Sequence, residues 1–231
     1  MNIEILHLIE GAQAARGLAV VIDVFRAFSL EPYLFDRGAE KIIAVGSKER
    51  AYELKQQHPE FILCGERKGV ILPGFDCGNS PYQTMNLDLA GKTVVHTTSA
   101  GTQGLVNAFN ADEIITGSLV NARAIARYIQ GKNPENVSLV CMGLRGLTQA
   151  AEDTLCARYI KSILEDNELD MTSELAALRE DETSKRFFDP KYADVFPEMD
   201  WHMSTDCDRF DFVLHAKKLD DDTFEITREF I

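Results

Sequence analysis

The chain has 231 residues, 45% of them hydrophobic and 26% charged, a balance that supports a buried core and excludes a disordered or fibrous protein. Its formal charge of −13, with no Lys/Arg-rich run, argues against nucleic acid or an anionic membrane surface as a partner. A small anionic substrate stays compatible with that charge, because the local field of a site can oppose the net charge.

The opening "MNIEILHLIEGAQAARGLAVVIDVF" has no basic leader running into a long apolar segment. No stretch approaches the roughly 18 apolar residues that span a bilayer. The sequence therefore reads as a cytoplasmic protein. "GLAVVIDVF" is a β-branched run ending at an acid, the pattern of a strand buried on both faces. "KIIAVGS" repeats it, and Ser47 is placed to cap a helix over "KERAYELKQQ". "FILCGE" is a third short strand. "GKTVVHTTSAGTQGLVNAF" reads as strand, polar turn and helix; "DEIITGSLVNARAIARYIQG" does so again, with Gly131 as the helix stop. "NVSLVCMGLRGLTQAAEDTLCARYIKSILED" is a third such unit with a longer turn.

Strands alternating with helices predict an α/β fold: a three-layer α/β/α arrangement around a mostly parallel or mixed sheet. Ligands of such sheets sit beyond the carboxyl ends of the strands. "DVFRA", "GERKG", "TTSAGT", "GSLVN" and "MGLRG" all follow strands, so they are expected to converge at one edge. Residues 1–168 form the α/β core that carries these loops. Residues 169–231 are acidic, aromatic and irregular, and predict a helical excursion and a closing strand pair within the same compact unit, with a turn in "HAKKLDDDTFEIT".

The chemistry concentrates in "GERKGVILPGFDCGNSP", residues 65–81, which is too long and too rich in glycine and proline for a simple connection. Glu66 and Asp76 suit a hard divalent cation, and Asp23, at a strand end, is a further metal ligand or else a helix cap or partner of Arg26. Arg67 suits bidentate grip of a phosphate or carboxylate, and Lys68 acts as a point charge. Asn79 and Ser80 close the loop with uncharged polar groups. "HTTSAGT" and "GSLVNA" place helix starts, with Thr98, Ser99 and Ser118 as caps and Asn121 free for a ligand, where N–H groups attract anions. Glu152 and Asp153 begin a helix, either as dipole-favoured acids or as metal ligand and general acid or base. Five scattered cysteines without a C-x-x-C pair read as free buried thiols. P-loop, dinucleotide-fingerprint, zinc-protease and nucleophile-elbow motifs are all missing, as is a Cys-x5-Arg loop.

In order, "VVIDVFRA", "GER" with "GFDCGNSP", "GKTVVHTTSAGT", "GSLVNA" and "AEDTLCA" resemble the 2-phosphosulfolactate phosphatase family over about residues 18–165, with a weaker echo in "CDRFDFV". The GER and GFD-x-GNSP pair carries most of the specificity. The resemblance implies a Mg2+-dependent acid phosphatase converting 2-phospho-3-sulfolactate to 3-sulfolactate and phosphate in coenzyme M biosynthesis. It also implies a homodimer. Carried over by position are Asp23, Arg26, Glu66, Arg67, Asp76, Asn79, Ser80, Thr97, Thr98, Gly101, Thr102, Ser118, Glu152 and Asp153. This chain departs from the family's pattern at "FSLEPYLF", at Ser99-Ala100, and at Arg145 and Gln149 of the third turn. The alternatives left open are a phosphatase for another small phosphorylated carboxylic or sulfonic acid, and an anion-binding protein without turnover.

Overall fold

Residues 1–231 are described by the computed structural model. Strand β1 (Asn2–His7) and the short helix α1 (Leu8–Ala14) precede the first predicted strand and were not anticipated from sequence. Then come β2 (Leu18–Ile22), α2 (Ala27–Asp36), β3 (Lys41–Val45) and α3 (Lys48–Gln57). Helix α3 spans the expected residues, and the Ser47 hydroxyl accepts from Arg50 N–H as its cap. Strand β4 (Ile62–Arg67) runs into the glycine-rich loop, which holds the two-residue β5 (Val70–Ile71) and the single turn α4 (Pro81–Thr84). The chain continues through β6 (Thr93–Thr97), α5 (Gly101–Asn107), β7 (Glu113–Gly117), α6 (Ala122–Lys132), β8 (Asn136–Cys141) and α7 (Ala151–Leu164). Helix α6 passes through Gly131 and ends instead where Asn133 turns left-handed at φ 46°. The C-terminal excursion forms α8 (Met171–Arg179), α9 (Glu182–Lys185) and α10 (Glu198–Ser204), followed by the hairpin β9 (Phe212–Lys218) and β10 (Thr223–Phe230).

The sheet is mixed, in the order β1-β8-β2-β7-β9-β10-β3-β6-β4-β5. Strands β1, β8, β2 and β7 are mutually parallel, as are β3, β6 and β4. The hairpin β9–β10 pairs antiparallel with β7 on one side and with β3 on the other. Three successive reversals separate the halves, so they run in opposite senses. The expectation of loops gathered along one edge of a parallel sheet is corrected accordingly: in a flat sheet their carboxyl ends would face apart. Residues at the ends of β2 and β8 in one half and of β4 and β6 in the other nonetheless line a common cavity.

Period-two alternation sorts the strands' side chains into two faces. Ala19 and Val21 of β2 join Ala44, Val94, Leu214 and Phe224 in one core around Phe28 and Leu34 of α2, to which both halves contribute. Leu18, Val20 and Ile22 point the other way, against Ile125, Ile129 and Ile160 of α6 and α7. Behind the second half, Val45, Leu63 and Val95 pack on Leu54 of α3. Helices thus cover both faces, as an α/β fold requires. All five cysteines are free and all but Cys207 are buried, with Cys156 on the apolar side of α7. No helix is long and apolar enough to cross a membrane.

Candidate active site

A cavity of about 220 Å³ opens where the ends of β2, β8, β4 and β6 meet under the C-terminal excursion. Of the residues singled out above, Asp23, Arg26, Glu66, Lys68, Asn79, Glu152 and Asp153 line it. Asp23 leaves β2 with its carboxylate turned back on the start of α2, where Oδ1 accepts from Ala27 N–H at 3.2 Å. The start of α5 approaches so closely that a Cβ on Gly101 would lie 2.8 Å from the Ala27 methyl and 3.0 Å from Asp23 Oδ2. Gly101 is therefore a spacing residue. Asp153 ties two strand ends together, accepting from Val24 N–H at 2.8 Å and from Gly143 N–H at 2.7 Å.

The glycine-rich loop supplies the opposite wall. Glu66 accepts from Ser99 N–H at 2.7 Å and from Gly69 N–H at 2.5 Å, so it binds its own turn to the start of α5. Within "TTSAGT", expected to receive an anion directly, the Ser99 N–H is taken by Glu66 and the Thr98 and Thr102 N–H groups by each other's hydroxyls. Side-chain charge supplies further attraction for an anion. Lys68 and Arg145 line the cavity, each held left-handed at φ 60° and 59°, conformations that bulky residues keep only where surrounding structure imposes them.

The third wall comes from the segment whose role could not be read from sequence. Thr183, Arg186 and Phe196 all line the cavity. The Thr183 hydroxyl lies 2.8 Å from Glu152 Oε2 and 2.7 Å from Asp181 Oδ1, and bridges the two acids. Asp200, fully buried on α10, accepts from Arg26 at 2.5 Å, from the Ser80 hydroxyl at 2.8 Å and from Tyr82 N–H at 2.9 Å. Arg26 therefore pairs with Asp200 and not with Asp23, and Ser80 anchors the excursion instead of facing the cavity. Neither Arg186 nor Asp200 belongs to a motif. Only an acidic, aromatic stretch marked their neighbourhood, and that signal does not single out a residue.

Several expectations are corrected. Arg67 lies outside the cavity, its guanidinium bonded to the Glu66 and Gly46 carbonyls and to Thr97 Oγ1. Strand alternation sends neighbours Glu66 and Arg67 to opposite faces, and Thr97 goes with Arg67. Asp76 is also outside: its Oδ2 accepts from Leu63 N–H at 2.8 Å and lies 3.5 Å from Lys55 Nζ, which removes it from the metal set. Thr98 and Thr102 serve each other as caps. Ser118 and Asn121 form a capping box on the turn Leu119–Asn121, and residues 208–210 bond back to Leu119 and Val120, so that strand end is covered by chain. His96 is wholly buried, with Nδ1 2.9 Å from Glu31 Oε1 and Nε2 3.0 Å from the cavity-lining Asn79 Oδ1.

The electrostatics follow from crowding acids in a buried place. Burial, then repulsion from Glu66 and Glu152, pushes the Asp23 carboxyl up to about 7 against its bond from Ala27. Burial first, then Asp23 and Glu152, holds Asp153 well above the usual carboxylate range. Burial also raises Glu152, opposed by its hydrogen bonds and Arg186. Acids that strain against ionisation beside side-chain cations form a pocket poised for a cation and an anion together. The donors are hard oxygens, and no three His, Cys, Asp or Glu side chains close into a preformed cage. That combination suits Mg2+, which takes one or two carboxylates and keeps water or phosphate oxygens for the rest.

Residues 3–200 match the family model described as 2-phosphosulpholactate phosphatase. A protein of Bacillus subtilis named "Probable 2-phosphosulfolactate phosphatase" is 30% identical over 76% of this chain and 77% of its own length. Proteins of the same name from Clostridium perfringens strain SM101 and Carboxydothermus hydrogenoformans are 37% and 39% identical, over 70% and 71% of this chain and 67% and 68% of theirs.

Proposed function

This chain belongs to the 2-phosphosulpholactate phosphatase family and is a phosphoric monoester hydrolase, and on that premise we propose that it hydrolyses 2-phospho-3-sulfolactate to 3-sulfolactate and phosphate with Mg2+, a reaction of coenzyme M biosynthesis. The observation that carries this reading is the meeting, in one small cavity, of buried carboxylates with the cations Lys68, Arg145 and Arg186. Asp23 and Glu66 would hold the metal. Bound there, Mg2+ would neutralise a phosphate oxygen and acidify a water molecule.

The chain's own groups do the rest. Lys68 and Arg145 face the phosphoryl oxygens from two walls and stabilise charge that grows during transfer. Glu152, whose carboxyl is raised by burial, serves as the general acid and brings a proton to the substrate. That proton passes to the substrate oxygen as its bond to phosphorus breaks. Asp153, bonded to two backbone N–H groups, holds the strand ends in register. Phe25 and Phe196 give the cavity apolar wall.

Phosphate release from racemic 2-phospho-3-sulfolactate by the purified protein, with Mg2+ and then with excess EDTA, tests the reading. Phospholactate, phosphoglycerate and p-nitrophenyl phosphate run beside it. The expected result is EDTA-sensitive release that is fastest with the sulfonated ester. Fastest release from another ester would keep the hydrolase and discard the substrate. No release from any ester by folded protein would leave an anion-binding protein.

Metal binding must displace a proton from a carboxyl raised to about 7. Mg2+ is therefore expected to raise Tm more at pH 8 than at pH 5.5, since at the lower pH it competes with that proton. Equal shifts at the two pH values would take Asp23 out of the metal site.

A further inference from the structure

Arg186 follows α9 and reaches the cavity from the C-terminal excursion. It differs from Arg26, the other arginine on that side, in having nothing to hold. Arg26 donates to the Val195 carbonyl at 2.8 Å and to the buried Asp200 at 2.5 Å. The Arg186 side chain makes no ion pair, and its Nε is buried without any hydrogen-bond partner. A buried donor left unpaired costs about 1–3 kcal/mol, and more when charged, so Arg186, beside the cavity, gains from any ligand or water that completes it. The guanidinium carbon lies 5.3 Å from the Phe187 ring centroid and 4.6 Å from that of Phe196, and those rings themselves meet at 5.6 Å. The two rings lie against the guanidinium, whose planar fork can present two parallel N–H groups. The acid that acts on it most strongly, Glu152, lies within hydrogen-bond distance of the Thr183 hydroxyl.

We infer that Arg186 is the specificity residue for the second anionic group of the substrate and grips its sulfonate, an inference that rests on the substrate reading above. A sulfonate is permanently ionised and a poor ligand for Mg2+, so it gains most from a planar, charged, bidentate donor away from the carboxylates. The phosphoryl group, by contrast, is drawn to the side of the cavity where Asp23 and Glu66 would place a metal. Arg186 and that side together set the orientation of the ester.

The test compares wild type, Arg186→Met and Arg186→Lys on three esters: 2-phospho-3-sulfolactate, 2-sulfoethyl phosphate, which lacks the carboxylate, and phospholactate, which lacks the sulfonate. Arg186→Met is expected to raise KM for both sulfonated esters about 100-fold, the scale for truncating one side of a buried charged pair, with kcat changed much less. The loss of kcat/KM on phospholactate is expected to be at least tenfold smaller, which also shows that the variant folds. Arg186→Lys should fall between, because it keeps the charge and loses the fork. Equal losses on all three esters, or none, would overturn the inference. Calorimetry with 3-sulfolactate separates it from the substrate reading. Arg186-dependent binding in a protein that does not hydrolyse the sulfonated ester would discard the reaction and keep the grip. No binding of 3-sulfolactate to wild type would discard the grip.

Discussion

Replacing Asp23 with asparagine is expected to lower kcat/KM on the order of 10³-fold, the scale for losing one group that acts on the reacting centre, while leaving the protein at least as stable as before. The two effects have one cause. Asp23 is 6% exposed, and burial followed by Glu66 and Glu152 raises its carboxyl to about 7. A carboxyl raised in the folded state makes the protein lose stability as pH rises from about 4 to about 7, because folding then works against ionisation. Asparagine keeps the oxygen that accepts from Ala27 N–H and removes the charge. Thermal melts in EDTA should therefore show the variant gaining on wild type at pH 8 and matching it more closely at pH 5. A variant that melts lower at pH 8 and retains its activity would show that Asp23 is a helix cap and nothing more.

Truncating His96 is expected to have the largest effect on stability, about 3–5 kcal/mol for His96→Leu. The imidazole is enclosed between Glu31 and Asn79, and the other Glu31 oxygen lies 3.2 Å from the Thr116 hydroxyl. Without the ring, a fully buried carboxylate keeps a single hydroxyl partner, and the cost is that of an uncompensated buried charge. Urea denaturation of His96→Leu, Glu31→Leu and the double variant checks this. The double variant should cost less than the two single ones combined, because removing both partners leaves no orphan. Additive losses, or a single loss under 1 kcal/mol, would show that the pair is not coupled. The loss also reaches the cavity, since Asn79 is anchored by Nε2 of this ring, and KM should rise in whatever His96→Leu protein folds.

What could be read from the sequence divides along a physical line. Continuous β-branched runs and a serine before "KERAYELKQQ" are local signals, so β2, β3 and the capped α3 were legible. The acids Asp23, Glu66, Glu152 and Asp153 were legible as candidates because each sits at the end of a buried strand or the start of a helix, and the structure brings all four together. Which neighbour of a charged run faces the cavity was not legible. Glu66 and Lys68 point in and Arg67 points out, because β4 continues one residue beyond the glutamate and fixes the alternation. Ser118 and Asn121 look like a ligand turn until residues 208–210 are folded onto them. Arg186 was invisible for a related reason: its position is set by Phe187, which packs on Phe196 within the excursion and on Phe25 of the core, contacts that no short motif encodes. The reversal of one half of the sheet came from strands whose own pattern says nothing about their neighbours.

The central place of the β9–β10 hairpin bears on the order in which the molecule can be assembled. During synthesis β3 and β7 leave the ribosome long before their partners at residues 223–226 and 214–215 exist. Each parallel half can gather its own helices, but each carries a raw strand edge, and such edges recruit other chains. The seam is sealed by the last strands to be translated. From the end of β8 at residue 141 until β9 begins at residue 212, nascent chains are two half-sheets awaiting a common fastener, the interval in which a chaperone has the most to protect.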